Sequence, residues 1–169
     1  PFMRPAELAT DEASSVDVVL HALQERGLSS GHVVLLQPTS PLRTAADIDA
    51  CFDIYRANGA RAATSVCESP VPPTWMYTIG DGNLMQPVIA ERPAQTRRQE
   101  QPACYVCNGA VYVVGVEWFA TNRQFVTKET AAYVMPPERS VDIDTEHDFR
   151  YAEWLLADEE GRQSRGAIS

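Results

Sequence analysis

Two aspartates near the C-terminus, Asp142 and Asp144, have a spacing that could support metal chemistry. They lie in "SVDID", whose alternation of polar and apolar residues predicts a β-strand. Residues two apart on a strand share one face, so both carboxylates would point the same way. Neighbouring carboxylates repel each other unless a cation lies between them, and Mg²⁺ takes one or two carboxylates plus phosphate oxygens. The pattern favours either a magnesium site or an edge strand with a solvated face.

The acidic residues that follow have a simpler explanation. Thr145 and Asp148 form a Thr-x-x-Asp pair, which predicts a capped helix start. The helix that begins at Thr145 carries apolar residues through Leu156. Part of the local acidity is therefore structural.

A second polar group follows the apolar run "HVVLLQ" (32–37). The run is short and continuous, which predicts a strand buried on both faces of a parallel sheet. Gln37, Thr39 and Ser40 come next, in "QPTSPLR". A polar side chain at the exit of a central strand is well placed for a ligand hydroxyl, although such residues are also normal in an ordinary strand-to-helix loop.

Two further motifs are less specific. Arg97 and Arg98 lie in a loop flanked by prolines, where they could receive a carboxylate or phosphate or simply face solvent. Cys104 and Cys107 form a C-x-x-C that enters a strand, and no second ligand pair accompanies it. We therefore expect packing thiols, free in the cytoplasm, rather than zinc ligands or a redox pair. His21 is expected to be structural.

Helices and strands alternate along most of the chain, which predicts an α/β fold. The first two helices should be capped by Ser14 or Ser15 and by Thr44, and should stop at Gly27 and Gly59. Between about residues 69 and 102 the pattern breaks, and a turn at 80–82 predicts a hairpin arm. The predicted helices span 11–27, 45–59, 116–121 and 145 onward; the predicted strands span 32–37, 61–68, 108–115, 131–136 and 140–144.

Length and charge exclude several classes of protein. The 169 residues suffice for one domain, and a net charge of -9 argues against a nucleic-acid surface. No apolar run is long enough for a membrane span, and no signal peptide is visible. We expect a domain over residues 1–157, followed by a frayed polar tail at 158–169.

Taken together, four stretches resemble one family. "RPAELATDEASSVDVVLHAL", "LLQPTSPLRTAADID", "NGAVYV" and "SVDIDTEHDFRYAE" are similar, in order and spacing, to the acylneuraminate cytidylyltransferases, which include the CMP-sialic acid synthetases and related CMP-nonulosonate synthetases. The resemblance covers roughly residues 3–157.

The resemblance implies a Rossmann-like α/β/α nucleotidyltransferase fold with a protruding β-hairpin dimerisation arm. It implies that CTP and a sialic or related nonulosonic acid react to give a CMP-sugar and pyrophosphate, with Mg²⁺ as the cofactor. It also implies a homodimer whose active sites are shared, with no nucleic-acid or membrane partner.

Site residues carried over from the family match eight positions of this chain. Asp142 and Asp144 would hold the metal, as the catalytic pair. Arg4 and Ser15 would lie by the cytosine. Gln37, Tyr112 and Phe125 would line the sugar pocket, and Arg98 would meet the sugar carboxylate from across the dimer interface.

The chain departs from the family pattern at two places. Sialic-acid-specific members often carry a lysine in the arm where this chain has Trp75, which favours either a related nonulosonic acid as substrate or a different carboxylate clamp built on Arg97 and Arg98. The family's N-terminal strand and its triphosphate-binding loop have no counterpart here. We therefore expect a chain that is partial at its N-terminus, with an exposed sheet edge and no turnover of CTP by itself. A KDO-type cytidylyltransferase and a non-catalytic nucleotide-sugar binding or dimerisation module are the alternatives.

Overall fold

The computed structural model describes residues 2–10, 12–57, 59–90, 97 and 100–166, with side chains up to residue 159. Its helices are α1 (Ser15–Glu25), α2 (Ala45–Ala57), α3 (Val116–Asn122) and α4 (Glu146–Gly166). Its strands are β1 (His32–Leu35), β2 (Ala62–Glu68), β3 (Tyr77–Ile79), β4 (Met85–Pro87), β5 (Tyr105–Gly115) and β6 (Thr130–Met135). The predicted α/β class is confirmed.

Four strands form one mixed sheet in the order β1-β5-β2-β6. Strand β5 runs antiparallel to both β1 and β2, whereas β2 and β6 are parallel. Because β1 and β2 both oppose β5, they point the same way, and α2 connects them across it. The sheet is therefore parallel except for its long central strand.

Helices cover both faces of this sheet. Alternate residues of β5 point to opposite faces, so Val113 packs with Cys51 of α2 while Val114 packs with Leu23 of α1 and Phe119 of α3. All of these side chains are buried. The result is the three-layer α/β/α arrangement expected from the sequence.

Helix starts and stops agree with the predicted signals. Ser14 caps α1, its hydroxyl oxygen accepting from the Val16 amide at 3.2 Å. The glycines after α1 and α2, Gly27 and Gly59, have φ of +60° and +56°, which favours glycine. Thr145 and Asp148 form the predicted capping pair at α4, with the Thr145 amide donating to the Asp148 carboxylate at 2.8 Å.

Three sequence predictions are wrong in detail. Within the described residues β1 pairs only with β5 and lies at a sheet edge, so Val34 and Leu36 are 39% and 36% exposed rather than buried. Residues 140–144 do not form a strand; they run beside a loop, as shown below. Helix α4 continues to Gly166, into the segment predicted to be a frayed tail.

The predicted hairpin is present as a separate two-stranded sheet. Strands β3 and β4 are antiparallel, with Tyr77 opposite Pro87, and Gly82 in the turn has φ of +69°. Residues 91–96, 98 and 99, which belong to the predicted arm, lie outside the described residues.

All four cysteines are free thiols, as predicted. Cys107 lies in β5 and Cys104 just before it, so the C-x-x-C does enter a strand. Burial raises the pKa of the Cys51 thiol to about 11. In the part of the chain that the structure describes, no helix combines the length and apolar character needed to cross a membrane.

Candidate active site

The loop after β1 is a tight turn over residues 37–40. The Ser40 amide donates to the Gln37 carbonyl oxygen at 3.3 Å, and Pro38 supplies the backbone angle that the second position of a turn requires. Arg43 Nη1 donates to the carbonyl oxygens of both Gln37 and Ser40, at 2.6 Å each. One guanidinium therefore contacts both ends of the turn.

The segment that carries the aspartates docks against this turn. The Ile143 amide donates to the Thr39 carbonyl oxygen at 2.8 Å. The fully buried Ser40 hydroxyl donates to the Asn108 carbonyl oxygen at 3.1 Å and lies 3.5 Å from Asp142 Oδ1. These contacts replace the sheet pairing predicted for "SVDID". The exposure still alternates, with Asp142 and Asp144 facing solvent and Ile143 partly buried.

Three of these side chains converge on Gly109 of β5, which has φ of +74°. A Cβ at this position would lie 2.6 Å from Gln37 Oε1, 3.0 Å from Ser40 Oγ and 3.4 Å from Asp142 Oδ2. The absence of a side chain at residue 109 therefore lets the predicted sugar residue Gln37 and the predicted metal residue Asp142 approach the same point of the backbone.

A buried network of polar side chains surrounds Asn108, the residue before Gly109. The Asn108 side-chain amide donates to Ser140 Oγ at 2.9 Å and its Oδ1 accepts from Ser65 Oγ at 2.6 Å. Ser140 lies two residues before Asp142, so Asn108 connects the aspartate segment to β2. Sequence reasoning missed Asn108 and Gly109, although both stand in the quoted "NGAVYV"; the buried polar Asn within an apolar strand was the available signal.

Beside the turn lies a cavity of about 290 Å³. Three of the predicted site residues line it: Arg4 and Ser15, assigned to cytosine, and Gln37, assigned to the sugar. The remaining lining is largely apolar and includes Leu35 of β1 and Val19 of α1. The structure thus brings together residues that are 33 positions apart in the sequence, from Arg4 to Gln37.

Tyr112 and Phe125 are also placed together. Their ring centroids lie 5.5 Å apart, and Tyr112 stands opposite Leu35 in the sheet register. Burial raises the pKa of the Tyr112 hydroxyl, and the negative charge of Asp142 raises it further. Tyr112 therefore lies within electrostatic range of the aspartate segment, while Phe125 also packs on Phe119.

Two residues of the arm, Arg98 and Trp75, were singled out from the sequence. Arg98, assigned to the sugar carboxylate, lies outside the described residues. Its neighbour Arg97 is exposed, and the Arg97 amide donates to Glu100 Oε2 at 3.3 Å. Trp75 is partly exposed at the start of the arm, in a short 3-10 turn. The carboxylate clamp predicted from the sequence stays a prediction.

Asp142 and Asp144 are the two carboxylates that could bind a metal ion. Among the described residues, no group of three or more His, Cys, Asp or Glu side chains is arranged to hold an ion. Asp142 and Asp144 supply two solvent-facing carboxylates, and that donor set suits Mg²⁺, whose remaining ligands are commonly water and substrate phosphate.

Together, the mixed α/β sheet and this site are consistent with a nucleotidyltransferase fold. Comparison with curated proteins shows which enzymes the chain is similar to. The chain is 34% identical over 148 residues to the N-acylneuraminate cytidylyltransferase of Streptococcus agalactiae serotype V, a match that covers 87% of this chain and 35% of that protein. It is 29% identical over 161 residues to the CMP-N,N'-diacetyllegionaminic acid synthase of Legionella pneumophila, covering 92% and 68%.

A third relative, the pseudaminic acid cytidylyltransferase of Campylobacter jejuni, is 26% identical over 159 residues, covering 92% of this chain and 68% of that protein. No family model matches the chain. The resemblance to the acylneuraminate cytidylyltransferases is therefore confirmed by relatives aligned over most of the chain. The chain spans about a third of the length of the streptococcal relative.

Proposed function

We propose that this chain provides the catalytic core of a CTP-dependent cytidylyltransferase acting on a nonulosonic acid. One observation carries the proposal: the side chains of Gln37 and Asp142 converge over Gly109, and Gln37 also lines the cavity that contains Arg4 and Ser15. Residues predicted for the sugar, the metal and the base are thus neighbours in the fold.

In the proposed reaction the anomeric hydroxyl of the sugar acid attacks the α-phosphorus of CTP. A new oxygen–phosphorus bond forms, the α–β phosphoanhydride bond breaks, pyrophosphate leaves, and the hydroxyl proton is released to solvent. The barrier of such a transfer is mainly one of alignment and charge. Arg4 and Ser15 bind the cytosine, Gln37 and Tyr112 orient the sugar, and Phe125 provides an apolar wall behind Tyr112. Arg98 remains our proposal for the sugar carboxylate.

Magnesium is proposed as the cofactor, held by Asp142 and Asp144. When bound, the ion neutralises charge that develops on the phosphate oxygens. The role of the protein is to hold the two carboxylates on a segment whose position is fixed by hydrogen bonds. The hydrogen bond from Ile143 to Thr39 and the network from Asn108 to Ser140 support that role.

We further propose a homodimer that forms through the arm. Large apolar side chains of the arm are exposed, which is unusual for a monomer surface when they lie together; they are Val71, Trp75, Met76, Ile79, Leu84, Met85, Val88 and Ile89. A partner that covers them would also bring its own arm towards the site. The four free thiols support the predicted cytoplasmic location.

The substrate is proposed to be a nonulosonic acid other than sialic acid itself, because Trp75 replaces a lysine that could pair with a carboxylate. The relatives include a CMP-N,N'-diacetyllegionaminic acid synthase and a pseudaminic acid cytidylyltransferase as well as N-acylneuraminate cytidylyltransferases. Measuring pyrophosphate release with CTP and each of the three acids would test this. A preference for sialic acid would contradict it.

Asp142→Asn provides the direct test of the transferase. The assay measures pyrophosphate release from CTP and the sugar acid, with and without Mg²⁺. In the active protein the substitution should abolish Mg²⁺-dependent pyrophosphate release, with a thermal melt within a few degrees of wild type because Asp142 is exposed. Full activity in the variant would sink the proposal.

A further inference from the structure

Arg43 uses its charge on the backbone of the site loop. Its Nη1 carries two protons, and it lies 2.6 Å from the carbonyl oxygens of both Gln37 and Ser40. The guanidinium is partly buried. Hydrogen bonds donated by a charged group are shorter and stronger than neutral ones, so this contact fixes both ends of the 37–40 turn at once.

The positions of several proposed site residues depend on the position of the 37–40 turn. The Gln37 side chain and the Ser40 hydroxyl both reach the space over Gly109, and Thr39 accepts the Ile143 amide. Ser40 also contacts Asp142 Oδ1. A shift of the turn would therefore move the proposed sugar contact and the proposed metal carboxylate together.

We infer that Arg43 is a positioning residue that fixes the 37–40 turn and so holds Gln37 and Asp142 in register with each other. The inference rests on the proposed function for its catalytic consequence. Its structural part, that Arg43 immobilises the turn, can be tested without any activity.

The test compares Arg43→Met, which keeps the apolar stem and removes the donors, with Arg43→Lys, which keeps the charge and can donate to the same oxygens. Arg56→Gln is the matched control, since it removes an exposed arginine at the other end of α2. Amide hydrogen exchange by NMR is read at Ser40 and Ile143, whose amides donate to Gln37 and Thr39.

In Arg43→Met, exchange at Ser40 and Ile143 should accelerate by about tenfold relative to amides in the centre of β5, with partial recovery in Arg43→Lys. In the active protein kcat/KM for the sugar acid should fall between about tenfold and a hundredfold, as expected for a small misplacement of reacting groups.

Exchange at wild-type rates in Arg43→Met would overturn the inference, and so would faster exchange with an unchanged kcat/KM. If the wild-type protein transfers no CMP, the proposed function fails, while the exchange data still decide whether Arg43 holds the turn. Should Arg43→Met fail to fold, Arg43→Gln, which removes the charge but keeps a polar side chain, supplies both measurements.

Discussion

Gly109 is the residue at which backbone conformation and site geometry meet. Its φ of +74° disfavours any residue with a Cβ, at a cost of about 1 to 2 kcal/mol. An added methyl would also lie 2.6 Å from Gln37 Oε1. We therefore expect Gly109→Ala to displace Gln37, to lower the free energy of unfolding by more than the backbone cost, and to reduce kcat/KM at least a hundredfold.

Gly27→Ala is the matched control for that substitution. Gly27 has φ of +60°, and a Cβ there would meet nothing within 4 Å. The control should lose only about 1 to 2 kcal/mol in urea unfolding, with kcat/KM unchanged. Equal effects of the two substitutions on activity would show that the space over Gly109 has no functional meaning.

At the scale of single residues, the sequence singled out side chains that lie close together but not the backbone positions that let them approach. Arg4, Ser15 and Gln37 line one cavity, and the roles assigned to them stay predictions. Gly109 and Asn108 escaped notice because their roles depend on contacts with distant residues such as Gln37, 72 positions from Gly109, and Ser140, 32 positions from Asn108. A positive φ inside a strand, or a buried amide with partners on three elements, leaves no periodic signal in the sequence.

Helices α2 and α4 begin with the same Thr-x-x-Asp cap, yet only one of the two aspartates is built into the core. Asp47, whose side chain is 1% exposed, accepts from both Arg139 Nε and Nη2, from the Tyr133 hydroxyl and from Thr44. Burial alone would raise its pKa, but these donors outweigh burial and hold the pKa of Asp47 well below its usual range. Asp47 thus fastens the start of α2 to β6 and to the turn after it.

That difference predicts a distinct pH dependence of stability. Because the folded pKa of Asp47 is lowered, its contribution is present above the ordinary aspartate pKa near 4 and is lost as pH falls towards the folded value. Asp47→Asn should lower the free energy of unfolding by about 3 kcal/mol at pH 7, at the lower end for a broken buried pair because Arg139 keeps a third of its side chain exposed. The gap from wild type should narrow below about pH 4.

Asp148→Asn is the control at the other cap. Hydrogen bonds from Thr145 lower the pKa of Asp148 as well, but no arginine pairs with it among the described contacts. Urea unfolding from pH 3 to pH 7 should show a clearly smaller loss for this variant. Parallel pH profiles for wild type and Asp47→Asn would contradict the assignment of the pH dependence to Asp47.

The elements themselves were predicted where the signal is local. Caps and apolar stripes placed α1, α2 and the start of α4, since those features are encoded within a few residues. The prediction was wrong for residues 140–144, whose alternation is real but whose Ile143 amide donates to Thr39 of the 37–40 turn instead of to a neighbouring strand. It was wrong for the burial of β1 because a strand's place in a sheet depends on its neighbours, which the strand's own residues do not specify.

For the whole molecule, the arm raises the question of assembly. A two-stranded hairpin is marginally stable in water unless something covers it, and Ile79 and Leu84 are 65% and 69% exposed. If the proposed dimer covers these residues, Leu84→Asp should convert it to a monomer in sedimentation velocity, since a buried unpaired charge opposes association. Leu28→Asp, at a site 54% exposed after α1, should leave the dimer intact. A wild-type protein that sediments as a monomer at all concentrations would contradict the dimer proposal and leave the arm's apolar surface to another partner. Loss of the dimer in both variants would show that the arm is not the specific interface.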